Sequence, residues 1–115
     1  WKNKKLNIIN NLVKKFVALP AKGFPGRAAI LIQILNLNKQ HISSIFEQNK
    51  SNKVGNYAPG TKIPIVSDLG LRKIKKSVPI INLAWHISKE IKSYLKKNHI
   101  NNKVIDILNQ QDFQK

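Results

Sequence analysis

The chain has 115 residues, enough for one domain with a single core, and its 42% apolar and 23% charged residues indicate a globular chain rather than a disordered one. It contains no cysteine, which excludes a disulfide scaffold and a thiolate metal site. Lysine and arginine together number 21 against five acidic residues, and the resulting formal net charge of +16 raises the question of a polyanionic partner.

Helices and short strands are predicted to alternate along the chain. Apolar residues recur at helical spacing over 3–14, which predicts a first amphipathic helix, and the apolar run 16–19 is too short for a helix and predicts a buried strand. The later predicted elements are a helix over 27–38, a strand over 42–46, a long polar loop over 47–62, an edge strand over 63–66, a short helix to residue 76 capped by Ser67 or Asp68, a strand over 78–84, a helix capped by Ser88 and a strand over 104–108.

The predicted helix over 27–38 is apolar on two sides. One stripe packs on the core, and the second consists of Ile30, Ile34 and Leu37. A helix that is apolar over so much of its circumference is usually covered on more than one side, so we expect the second stripe to face a neighbouring domain. The chain begins with Trp1 rather than methionine, from which we expect a piece of a longer protein.

This order of elements predicts an α/β fold, a Rossmann-like parallel sheet of four to five strands with helices on both faces. Residues 1–115 are predicted to form a single domain, with 109–115 as a frayed tail. The longest apolar stretch, 28–37, is too short to span a bilayer, so no membrane partner is expected. Ligands of such sheets bind outside the carboxyl ends of the strands.

The segment "PAKGFPGR", residues 20–27, links the first predicted strand to a helix. Unpaired N–H groups in the first turn of that helix could hold an anion, with Lys22 and Arg27 beside it and with Gly23 and Gly26 allowing close approach. The alternative is a plain turn with solvated cations. The next strand is followed by a loop with Lys53, Tyr57 and Thr61, and a later one by Trp85 and His86. We expect all three segments to converge on one edge of the sheet.

Each aromatic or histidine side chain in these segments has two interpretations. Tyr57 either stacks on a base or sugar face or packs the loop onto the sheet. Trp85 either contacts a ligand or fills the core, and His86 either binds a phosphate or is a solvated surface residue. His41 and His99 lie at element ends without cysteine or acidic partners at ligand spacing, so no metal is predicted. Glu47, which closes a predicted strand, is a candidate for ribose hydroxyls.

Two functions of other classes stay open from the residues alone. The charge is compatible with a basic nucleic-acid-binding module, although lysine dominates it and is spread along the chain. A stand-alone Rossmann-like domain for a nicotinamide cofactor is the second, and it lacks a full G-x-G-x-x-G motif.

Three stretches carry a resemblance to a known family. They are "LPAKGFPGRAAIL" at 19–31, "SNKVGNYAPGTKIPI" at 51–65 and "LAWHISKEI" at 83–91. With them the sequence resembles the C-terminal domain of S-adenosylmethionine-dependent C-methyltransferases that act on nucleotide-linked deoxysugars, over about residues 14–108. Asn52 and Asn56 depart from the family pattern, which often has proline and a cation there.

The resemblance implies a bacterial, cytoplasmic enzyme of deoxysugar biosynthesis with a small zinc-binding domain, a central S-adenosylmethionine domain and this C-terminal domain. The nucleotide sugar is expected between the last two, held here by Lys22, Gly23, Gly26, Arg27, Lys53, Tyr57, Thr61, Trp85 and His86. No catalytic residue and no cofactor are expected in this domain, which alone would be inactive. Its expected partners are the nucleotide sugar and the central domain, with no nucleic acid.

Overall fold

The structure is a computed structural model that describes residues 2–23, 26–48 and 51–108. Its helices are α1 (Lys2–Phe16), α2 (Gly26–Ile34) and α3 (Ser88–Lys97), with a first 3₁₀ helix at Asp68–Lys73 and a second at Trp85–Ile87. Its strands are β1 (Leu19–Lys22), β2 (Ile42–Glu47), β3 (Ile65–Ser67), β4 (Ile80–Asn82) and β5 (Val104–Asp106). The tail predicted over 109–115 lies outside the described residues.

The five strands form one parallel sheet in the order β3-β2-β1-β4-β5. The predicted α/β fold is therefore confirmed, at the upper end of the predicted strand number. From β1, the next two strands of the chain, β2 and β3, are added on one side, whereas β4 and β5 are added on the other side of β1. The carboxyl ends of β1 and β4 consequently flank the topological switch point of the sheet, where ligands of such folds bind.

Successive strand residues point to opposite faces of the sheet, and each face has its own core. Ile45 and Ile81 belong to the larger core, into which α1 and α2 pack, whereas Phe46 and Ile80 belong to the smaller one. The first 3₁₀ helix and α3 cover this second face through Leu71 and Leu95. Helices thus lie on both faces, as predicted.

The first strand lies three residues later than the predicted 16–19. Phe16 ends α1, Val17 turns with a φ of 65° and is exposed, and all four residues of β1 are buried. A proline is unusual in a central strand because it lacks the N–H that a ladder needs. Here the register between β1 and β2 shifts at Leu19/Pro20, which accommodates it. "PAK" is therefore strand, and the loop begins at Gly23.

The ends of three helices can be compared with the caps and the helix end predicted from the sequence. Ser67 caps the first 3₁₀ helix by accepting a hydrogen bond from the N–H of Leu69, which confirms one of the two predicted caps. Ser88 does not cap α3, because its hydroxyl donates to Asp106 instead. The helix predicted to reach residue 38 ends at Ile34, and Asn36 follows with a φ of 53°.

Candidate functional site

Polar residues stand at the carboxyl end of every strand, including Glu47 at the end of β2 and Ser67 at the end of β3. Four of the polar residues at this edge are central to its side-chain hydrogen bonds: Lys22 in β1, Asp68 after β3, Asn82 in β4 and Asp106 in β5. Their side chains form two hydrogen-bonded networks, one on each side of the switch point. These networks fix the geometry around the predicted glycine loop.

The first network joins β1 to both elements of the smaller face. The Lys22 side chain is 4% exposed, and its Nζ lies 2.8 Å from Asp68 Oδ2. Tyr94 of α3 donates its hydroxyl to the same carboxylate oxygen at 2.7 Å, and the Lys22 ammonium lies 5.0 Å from the centre of the Tyr94 ring. A buried charge is tolerated only when paired and hydrogen-bonded, and Asp68 supplies both conditions for Lys22.

This network also changes the acidity of Tyr94. Burial, followed by the hydrogen bond to Asp68 and the charge of Asp68, raises the pKa of Tyr94 to about 12. The phenol is therefore protonated near neutral pH and acts there as a hydrogen-bond donor rather than as a base.

Replacing Tyr94 with phenylalanine is expected to lower the free energy of unfolding by about 1–2 kcal/mol at neutral pH, because Asp68 loses a donor. The pKa of Tyr94 is higher in the folded chain than its ordinary value of 10.0, so its stabilising contribution is complete below pH 10 and lost as pH rises through about 12. The difference between wild type and Tyr94→Phe, measured by urea unfolding, should shrink over that window. A difference that stays constant from pH 9 to about 12 would contradict the assignment.

The second network joins β4, β5 and α3. Asn82 is fully buried, and its Nδ2 donates to Asp106 Oδ1 at 2.9 Å. The Ser88 hydroxyl lies 2.9 and 2.8 Å from the two oxygens of Asp106, and the partly exposed Lys92 lies 3.5 Å from one of them. Asn82 Oδ1 also accepts from the N–H of Ala84, which shapes the turn that leads into the second 3₁₀ helix.

The switch point brings the end of β1 beside the Trp85–His86 segment. The N–H of Leu83 donates to the carbonyl of Lys22, and a Cβ added to Gly23 would lie 3.1 Å from the Cβ of Ala84. Gly23 is itself buried and has a φ of 80°, a conformation that favours glycine. Trp85 packs against the larger core, His86 is exposed, and their rings meet edge to face at 5.8 Å.

The first turn of α2 also lies at this edge, because α2 begins at Gly26 directly after the connection from β1. The unpaired N–H groups of that turn are therefore close in sequence to the end of β1. The side chain of Arg27 lies outside the part of the chain that the structure describes.

The loop between β2 and β3 does not converge fully on the same edge. A parallel connection must cross from the carboxyl to the amino edge, and this loop runs antiparallel to the start of β3, with Tyr57 bridged to Pro64. Thr61 lines a shallow pocket with Asn38 and Lys39, which lead into β2 at the amino edge. Its hydroxyl donates to the Ala58 carbonyl. Of the three segments predicted to converge on the carboxyl edge, only the segment after β1 and the segment after β4 lie side by side there.

Two further side chains of that loop are accessible. Tyr57 is 63% exposed, so the interpretation that it packs the loop onto the sheet is wrong. Lys53 is exposed as well. Both side chains are thus accessible to a ligand or a neighbouring domain. Because Thr61 lies at the amino edge, the three residues do not form one site with the end of β1.

Sequence reasoning missed Asp68, Asn82, Tyr94 and Asp106 as parts of the carboxyl edge. A usable signal existed for Asn82, because a single polar residue interrupts the apolar run "VPIINLA" where a buried strand was predicted. The sequence indicates Asp68 as a candidate helix cap and does not indicate that it pairs with Lys22. Its pairing with Lys22 spans 46 residues, and no local pattern encodes such a contact.

Within the described ranges, no group of three or more histidines and acids could hold a metal ion. None of the helices there has the length and apolar character needed to cross a membrane.

A comparison of the sequence with known protein families finds a match. The sequence model of the C-methyltransferase C-terminal domain matches residues 1–106, which is most of the chain. No curated protein sequence matches the chain significantly. The match spans all five strands and both networks at the carboxyl edge, and it confirms the resemblance stated from the three motifs. The chain therefore belongs to the C-methyltransferase C-terminal domain family.

Proposed function

We propose that this domain binds the nucleotide part of a nucleotide-linked deoxysugar within an S-adenosylmethionine-dependent C-methyltransferase. The observation that carries the proposal is that the first turn of α2 and the exposed His86 lie at one switch point of the sheet. Helix N-termini at such positions favour phosphate groups, and the family match makes a methyltransferase substrate the natural ligand.

The pyrophosphate is assigned to the backbone N–H groups of the first α2 turn and to the exposed side chain of His86. Arg27 stays a candidate from the sequence, as a cation within that turn. Lys22 contributes differently from the sequence-based prediction. Its ammonium is buried against Asp68, so a phosphate that contacted it directly would have to displace a carboxylate at 2.8 Å. We therefore assign Lys22 to holding the end of β1 rather than to the ligand.

The methyl donor is assigned to another domain of the parent enzyme. A glycine turn that cradles such a cofactor must leave its backbone open to the ligand. Gly23 is buried, and Ala84 occupies the space beside it, so the end of β1 does not fit that role. This domain alone is accordingly expected to be inactive, and its cytoplasmic location stays a prediction.

The exposed face of α2 supports a neighbouring domain in the same enzyme. Ile30 is 60% exposed and Ile34, one turn later, is 42% exposed, as expected for the second apolar stripe. Leu37, the third residue of that stripe, is buried because α2 ends before it. We assign the Ile30 and Ile34 face to the central domain of the methyltransferase.

The distribution of positive charge favours this function over a nucleic-acid-binding module. The exposed lysines of α1 and those of α3 cover opposite faces of the sheet rather than one stripe. A duplex-binding surface requires cations that follow one phosphate backbone.

The proposal is tested by titrating the ¹⁵N-labelled chain with thymidine- and guanosine-diphosphate sugars and following the amide signals by NMR. Shifts are expected at residues 26–30 and 83–87, and the Arg27→Ala and His86→Ala variants should each weaken binding several-fold. Lys62→Ala removes an exposed lysine at the amino edge and serves as the matched control. If all three variants bind alike, or if the shifts cluster at the amino edge, the assignment is wrong.

A further inference from the structure

A cleft between the first 3₁₀ helix and α3 lies on the sheet face opposite α1 and α2. It has a volume of about 290 Å³, at the small end of the range for ligand sites, and suits a single ring better than a nucleotide. Its lining combines hydrogen-bonding side chains, an apolar wall and one cation. Asp68 and Tyr94 also belong to the first network at the carboxyl edge, but none of the lining residues is assigned to the nucleotide-sugar ligand.

At the inner end of the cleft, several side-chain oxygens can accept hydrogen bonds for which the described residues supply no donor. Asp68 is 10% exposed, and its Oδ1 is buried with no hydrogen-bond partner among the described residues. The Tyr94 hydroxyl donates its proton to the other oxygen of Asp68, so the phenol oxygen can still accept a hydrogen bond from a ligand. Asn98 donates through its Nδ2 to the Tyr94 carbonyl, and its side-chain oxygen accepts no bond within the described chain. A ligand at this end must therefore supply O–H or N–H donors.

The outer end has the opposite character. Arg72 is exposed and lines both this cleft and an adjoining one of about 200 Å³, which also contains Lys76 and His99. The charge of Asp68 is already balanced by Lys22, so the cations at the mouth are not neutralised by it. Between the two ends, Leu71 and Ile100 form an apolar wall. Arginine beside further cations is the arrangement that binds phosphate.

We propose that this cleft binds a phosphorylated monosaccharide. The phosphate lies at Arg72, the sugar hydroxyls donate to Asp68, Tyr94 and Asn98, and the C–H face of the ring packs on the apolar wall. Each end of the cleft selects one part of this ligand, so neither a neutral sugar nor phosphate alone satisfies both. The inference is independent of the proposed nucleotide-sugar function, because the two sites share no side chain.

The test is an NMR titration of the ¹⁵N-labelled chain with glucose 6-phosphate, glucose and inorganic phosphate as separate probes. Glucose 6-phosphate is expected to shift the amides of residues 69–72 and 98–100 with a millimolar dissociation constant, at least about tenfold below those of the other two probes. Arg72→Ala should weaken its binding about tenfold. Lys73→Ala removes the adjacent exposed cation, which lines neither cleft, and should leave binding unchanged.

Three results would overturn the proposal. Equal binding of inorganic phosphate and glucose 6-phosphate would reduce the cleft to an anion patch. Equal losses in Arg72→Ala and Lys73→Ala would mean general charge attraction, and no shift at residues 69–72 or 98–100 would mean no site. Shifts of residues 26–30 with nucleotide sugars report the other site, so the two proposals fail separately.

Discussion

Replacing Asp68 with alanine is expected to lower the free energy of unfolding by about 3–5 kcal/mol, because it leaves a buried ammonium without its counter-charge. Lys22 lies in the central strand, its side chain is 4% exposed, and Asp68 Oδ2 is 2.8 Å from its Nζ. The Phe46 carbonyl at 3.5 Å is a weaker acceptor than the lost carboxylate. The loss is comparable with the whole stability of a small domain.

Two comparisons separate the buried pair from charge in general. Lys92→Ala removes the ion pair with Asp106 at 3.5 Å, in which the lysine is 50% exposed, and should cost less than about 1 kcal/mol. The double variant Lys22→Met/Asp68→Leu removes both charges and should recover most of the stability lost in Asp68→Ala. Urea unfolding followed by circular dichroism measures all three. If Asp68→Ala costs no more than Lys92→Ala, the pair is not a structural anchor.

The order of elements could be predicted because it depends on local patterns. Short apolar runs alternate with amphipathic segments, and this alternation was sufficient for a parallel sheet with helices on both faces. The position of β1 could not be predicted in the same way. The run 16–19 divides between the end of α1 and the start of β1, and Pro20 argues against a central strand unless the register shift at that residue is known.

The candidate site was predicted less well than the fold, for a physical reason. Which residues follow each strand can be read from the sequence, and Gly23 does lie beside Ala84, in the segment that leads to His86. Which partner a side chain takes depends on contacts across the sheet. Lysine is a residue type that commonly binds phosphate, and the sequence alone therefore favours that role for Lys22. Its neighbour Ala21 faces the larger core, and because successive side chains of a strand point to opposite faces, Lys22 points to the other face and pairs with Asp68.

Replacing Asn82 with alanine is expected to lower the free energy of unfolding by about 2–4 kcal/mol, because several buried groups lose a partner at once. The Ala84 N–H loses its acceptor and Asp106 loses its closest amide donor. Asn101→Ala, at an exposed asparagine, is the matched control and should change stability by less than about 0.5 kcal/mol.

Asn82→Asp separates the loss of hydrogen bonds from the role of charge, because it keeps the size of the side chain and places a second carboxyl beside Asp106. The proximity of Asp106 should raise the pKa of the introduced group in the folded chain. The stability of that variant relative to wild type should therefore be highest below the ordinary pKa of an aspartate, and it should fall as pH rises from that value through the raised pKa of the folded chain. Asn82 also shapes the turn that presents His86, so the amide signals of residues 84–87 should shift in both Asn82 variants. Unchanged signals there, or a stability difference between Asn82→Asp and wild type that does not vary with pH, would mean that Asn82 fills space without organising the carboxyl edge.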